Sequence, residues 1–89
     1  MKPTRAEVKI AVTTIIAEIT GLKPQKIKEE HVLKEHPLYM DDMQLIRLAL
    51  ELRKYIKSFD KTKTILVATI RKSGLTVGKL IDLVYNLLK

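Results

Sequence analysis

The chain has no cysteine, no tryptophan and only four aromatic residues, Tyr39, Tyr55, Phe59 and Tyr85. Without cysteine there are no disulfides and no thiolate metal sites, a composition that fits a reducing compartment. With so few aromatics, the core has to be built from Leu, Ile and Val. The three glycines, Gly21, Gly74 and Gly78, stand apart, so there is no glycine-rich phosphate loop. No apolar run approaches the ~18–20 residues that a membrane-spanning helix needs. The first residues, MKPTRAEVK, lack the apolar stretch of a signal peptide. A soluble cytoplasmic protein is the expectation. Acidic residues are in the minority, ten against seventeen Lys and Arg, for a net charge of +7.

Apolar residues make up 46% of the 89 positions, too many for intrinsic disorder and enough for a thin core in a single domain spanning residues 1–89. The positive charge is uneven. Residues 61–89 hold Lys61, Lys63, Arg71, Lys72, Lys79 and Lys89 against Asp82 alone. Such a surplus admits nucleic acid or another anionic surface as a partner. It equally suits the solvation of a small helical protein.

Helical patterning dominates. Thr4 and Glu7 are spaced as a capping box, and Val8, Ala11, Val12, Ile15, Ile16 and Ile19 follow at helical intervals until Gly21. Residues 22–41 form a long polar connection anchored by Leu22, Ile27, Val32, Leu33 and Leu38; so long a loop is uncommon and often functional. The spacing predicts a second helix over 42–57, with Asp41 as N-cap and Gln44 as its capping-box partner. Leu45, Leu48, Ala49, Leu52 and Ile56 share its apolar face, widened by Met43, Ile46 and Leu50. Residues 62–73 are β-branched enough for a strand, but no second strand is there to pair with them, so a short helix is expected. Thr76 caps a last helix over 76–88, whose stripe is Val77, Leu80, Ile81, Val84, Leu87 and Leu88. The expected fold is all-α: an antiparallel four-helix bundle of three long helices and one short one, with the long loop between the first two.

Residues 39–42, YMDD, match the catalytic tetrapeptide of reverse transcriptases. Two-metal nucleotidyl transfer needs a third carboxylate and a sheet to hold it, and this chain offers no sheet. His31, Glu35, His36, Asp41 and Asp42 cluster in sequence without a recognised ligand spacing, so no metal is expected. The only serines, Ser58 and Ser73, lie outside any nucleophile-elbow pattern, and no catalytic machinery is evident. Residues 64–84 could form a helix-turn-helix, but the second helix exposes Gly78, Lys79, Asp82 and Asn86, which offer little to base edges.

Three stretches in order, VTTIIAEITGLKPQKI, DDMQLIRLALEL and LTVGKLIDLVYNLL, resemble the acyl carrier protein family across residues 5–88. The resemblance implies a carrier-like four-helix domain. It also implies an Asp-Ser-Leu motif at the start of the second helix, whose serine bears phosphopantetheine. Here Asp41 aligns with the Asp and Met43 with the Leu, while Asp42 stands in place of the serine. No neighbouring register supplies a hydroxyl. A carboxylate cannot form the stable phosphodiester, so the resemblance carries over the fold and not the carrier activity, and no cofactor is expected. Family members present an acidic second helix to basic enzymes. Here that helix carries Arg47, Arg53, Lys54 and Lys57 against Asp42 and Glu51, which implies an acidic protein partner instead. The leading expectation is a non-enzymatic, monomeric protein-interaction module linked to acyl, lipid or polyketide metabolism. The alternatives are a small basic nucleic-acid-binding domain and a genuine carrier whose site lies elsewhere in the chain.

Overall fold

In the computed structural model, which describes residues 1–89, four α-helices follow one another: α1 (Arg5–Thr20), α2 (Asp42–Phe59), α3 (Val67–Ile70) and α4 (Val77–Leu88). There are no strands; the only β-type pairing is an isolated antiparallel bridge between Val32 and Thr76. Helices α1, α2 and α4 surround one core of 21 buried apolar residues, and the Cα radius of gyration is 11.9 Å.

Local chemistry sets the helix ends. The Thr4 hydroxyl accepts from the Glu7 N–H at 3.2 Å, and the Glu7 carboxylate accepts from the Thr4 N–H at 2.8 Å. The Thr4 backbone N–H foremost, then the Thr4 hydroxyl, hold the Glu7 carboxyl below its ordinary pKa. At the other end of α1, Gly21 adopts φ 79°, a left-handed conformation open to glycine without a Cβ clash. The Asp41 carboxylate accepts from the Gln44 N–H at 2.8 Å and the Gln44 side chain accepts from the Asp41 N–H at 3.0 Å, as the spacing predicts. Helix α2 continues two residues beyond the expected end, to Phe59, whose ring meets Tyr55 edge-on at 5.2 Å. Asp60 then ends the helix, its carboxylate accepting from both the N–H and the hydroxyl of Thr62.

The 62–73 segment differs from the expectation in extent. Only Val67–Ile70 is helical, a single turn. Ile65 and Ile70 are buried, and these two anchors fix the segment's path while its exposed polar residues follow.

The long connection is fastened down. A 3-10 turn at Pro24–Lys26 starts it, and Ile27, Leu33, Leu38 and Met40 are buried. Leu22 and Val32, also expected as anchors, are only half-buried. Its backbone caps α4: the Val77 and Gly78 N–H groups, which have no partner inside the helix, donate to the His31 and Glu29 carbonyls at 2.9 Å each. Gly78 permits this approach, because a Cβ there would come within 3.2 Å of the Glu29 backbone oxygen. An ion-pair cluster holds the same place. Arg5 bridges Glu29 at 2.8 Å and Asp82 at 2.7 Å, and Lys9 adds a contact to Glu29 at 3.2 Å. The Arg5 guanidinium foremost, then the Lys9 ammonium, hold the Glu29 carboxyl down at about 2.

Met43, Ile46 and Leu50, expected to widen the apolar face of α2, are not in the core. Leu45, Leu48 and Leu52 are fully buried, whereas Met43, Ile46 and Leu50 face solvent. At about 100° per residue they lie about 100° or more around the helix from Leu45, Leu48 and Leu52, on its outer side.

Candidate functional site

The approach to α2 is unusual in its backbone. Tyr39 sits at φ 42°, the only non-glycine residue with a positive φ. Such a conformation costs of order 1–3 kcal/mol and persists only where the surroundings over-determine it. Here they do: the Leu38 and Tyr39 N–H groups both donate to the Glu35 carbonyl, the Met40 N–H donates to the Leu33 carbonyl, and Leu38 and Met40 are buried on either side. The Tyr39 side chain is thereby left outside, with its ring edge-on to His36 at 5.7 Å.

Two aspartates follow with different tasks. Asp41 is committed to the cap of α2 through Gln44. Asp42 is the first residue of the helix, and its carboxylate accepts from Arg71, just past α3, at 3.2 Å. The side chains are 65% and 49% exposed, so the pair is worth no more than about 1 kcal/mol. With one carboxylate turned to a cap, the other to an arginine, and helix rather than hairpin following, the paired-metal geometry of the YMDD match is not formed. No three His, Asp or Glu side chains converge where they could hold a metal. His31 uses Nδ1 to accept from the Lys28 N–H at 3.0 Å.

Along α2, Met43, Ile46 and Leu50 recur at i, i+3 and i+7 and form one uncovered apolar stripe, with Met43 77% and Leu50 49% exposed. The four cations expected to meet a partner are placed unequally. Arg47 is exposed and makes no side-chain hydrogen bond or ion pair. Lys54 pairs with Glu51 at 3.3 Å, and Lys57 donates to the Lys61 carbonyl at 3.3 Å. Arg53 is half-buried and donates to the Ile65 carbonyl at 2.9 Å, which ties down the segment before α3. Arg71 was not among the expected site residues, yet it is the side chain that meets Asp42. Nothing local in the sequence signals a pairing across 29 residues.

Neither serine stands at a helix start. The Ser58 hydroxyl, near the end of α2, donates to the Tyr55 carbonyl at 2.6 Å, and Ser73 lies in the turn after α3. A helix-turn-helix would have to use α3, a single turn, as its first helix. Comparison with protein-family models, with curated proteins and with solved structures returns no match.

Proposed function

We propose that the chain is an acyl-carrier-protein-like, antiparallel helical module that has lost the phosphopantetheine attachment residue and acts by binding a protein partner with an acidic, partly apolar surface. The observation that carries the reading is the start of α2: an exposed Asp42 at the first helical position, where the resemblance expects a serine, beside the uncovered Met43–Ile46–Leu50 stripe. An attachment residue has to present an oxygen nucleophile to a transferase. Asp42 has the exposure but not the chemistry, since its carboxylate cannot hold a phosphodiester.

The stripe supports the interaction part of the reading. Three apolar side chains in one row on a solvent face are the core of a small contact patch, and Arg47, the one cation of α2 without a partner inside the chain, adds positive charge beside it. A partner with carboxylates around an apolar centre complements this surface, and the attraction speeds encounter more than it adds affinity.

The test is incubation with coenzyme A and a promiscuous phosphopantetheinyl transferase, read by intact mass beside an authentic carrier protein as positive control. The expected result is complete modification of the control and none of this chain. A pantetheine adduct on the wild-type chain, at Ser58, Ser73 or elsewhere, overturns the proposal.

A further inference from the structure

A second surface lies between the α3 segment and α4. Residues 64–75 and the outward side of α4 enclose two adjoining open grooves of about 400 and 370 Å³, which share Thr69, Leu83 and Asn86 as common wall. The two ends differ in chemistry. One end is apolar, lined by Ile65, Leu66 and Leu87 beside the shared Leu83, with Leu66 60% exposed. The other end carries Lys72 and Lys79 with Ser73 between them in sequence. Neither lysine has an ion-pair partner, and Asp82, the one carboxylate on the wall, is engaged by Arg5 at 2.7 Å. Between the ends stand Thr69 and Asn86, whose side chains make no hydrogen bond within the chain.

We infer that this groove binds a short extended peptide segment of a partner protein, with an acidic residue against Lys72 and Lys79, its backbone against Asn86 and Thr69, and a bulky apolar residue against Leu66, Leu83 and Leu87. The middle of the groove selects this occupant. An amide side chain offers one donor and one acceptor side by side, the complement of a peptide unit, and an alkyl tail gives it neither. The dimensions agree. Lys79 to Leu87 spans eight residues of α4, about 12 Å at 1.5 Å rise per residue, and an extended peptide covers that in about four residues at ~3.3 Å each. The two free ammonium groups fix the sign of the charged end. This site shares no residue with the α2 stripe, and neither depends on the other.

The experiment is a ¹⁵N-HSQC titration of the full chain with acetylated, amidated pentapeptides carrying Asp or Glu at the first two positions and Leu or Phe at the last two. Expected are shifts concentrated in residues 64–75 and 79–87, including the Asn86 side-chain amide. The Lys72→Glu/Lys79→Glu double variant, whose replaced side chains are exposed and leave the core intact, should weaken the affinity about tenfold. Leu66→Ser should weaken it without altering the salt dependence. Peptides with Gln in place of the acidic residues should bind as weakly as the double variant. The inference is overturned if no peptide shifts these resonances at millimolar concentration, if the shifts map to α2 instead, if charge reversal leaves the affinity unchanged, or if dodecyl phosphate occupies the groove and the peptides do not.

Discussion

Replacing Asp42 by serine separates what this residue does for the fold from what it withholds from chemistry. Two stabilising contributions are lost in Asp42→Ser. One is the 3.2 Å pair with Arg71, between side chains that are 65% and 49% exposed, worth at most about 1 kcal/mol. The other is a carboxylate in the first turn facing the positive end of the helix dipole, worth about 0.3–1 kcal/mol. The cap itself is untouched, because Asp41 and Gln44 make it. The expected loss is therefore about 1 kcal/mol, or ~4–8 °C in Tm for a domain of this size. Both contributions are Coulombic between exposed groups, so the difference from wild type should shrink between low and high salt. Thermal melts by circular dichroism at two salt concentrations measure this. A loss above ~3 kcal/mol, of the size left by an unpaired buried charge, or a difference indifferent to salt, refutes the account of Asp42 as a replaceable surface residue. With the fold retained, the variant presents a serine between Asp41 and Met43 at the start of α2. The transferase assay should then yield a pantetheine adduct on Asp42→Ser and none on wild type. A folded variant that stays unmodified refutes carrier geometry at this helix start.

The remaining predictions concern the scaffold. Leu48→Ala should cost about 2–5 kcal/mol as a fully buried leucine, while Leu50→Ala, two residues on, should cost less than about 1 kcal/mol; urea denaturation of the pair checks that Leu50 lies outside the core. The Glu29 carboxyl is held at about 2 in the folded chain against 4.5 ordinarily, so its contribution is fully present above about pH 4.5 and is lost as pH falls from there toward 2. Its side chain is a third exposed, which limits that contribution to about 1 kcal/mol after solvent screening, and Glu29→Gln should flatten Tm over this pH range. Gly21→Ala should lower stability by about 1 kcal/mol, the cost of a Cβ at its left-handed φ, read as a fall in Tm. Met40→Ala should cost about 2 kcal/mol or more as a buried side chain, measured by the same denaturation.

How legible the fold was depended on how local its determinants are. Both capping boxes, the Gly21 stop and the Thr76 cap lie within four residues of what they act on, and all could be read from spacing. The anchors Ile27, Leu33 and Leu38 stood out as apolar residues in a polar stretch. Met40 did not, because the left-handed Tyr39 resets which side chains point inward just before the helix. Hydrophobicity alone groups Met43, Ile46 and Leu50 with the core face of α2, whereas at about 100° per residue they stand about 100° or more round the helix from Leu45, Leu48 and Leu52, and the structure leaves them exposed. The single turn of α3 was hidden by the β-branched residues within 64–70. The Arg71 pairing and the groove beside α4 arise only from tertiary packing. This division bears on the family resemblance. Caps, stripes and a stop glycine are what any small helical bundle of this order requires. The discriminating position is 42, because a serine placed there is a transferase substrate only if the surrounding surface of α2 has the shape that such an enzyme reads.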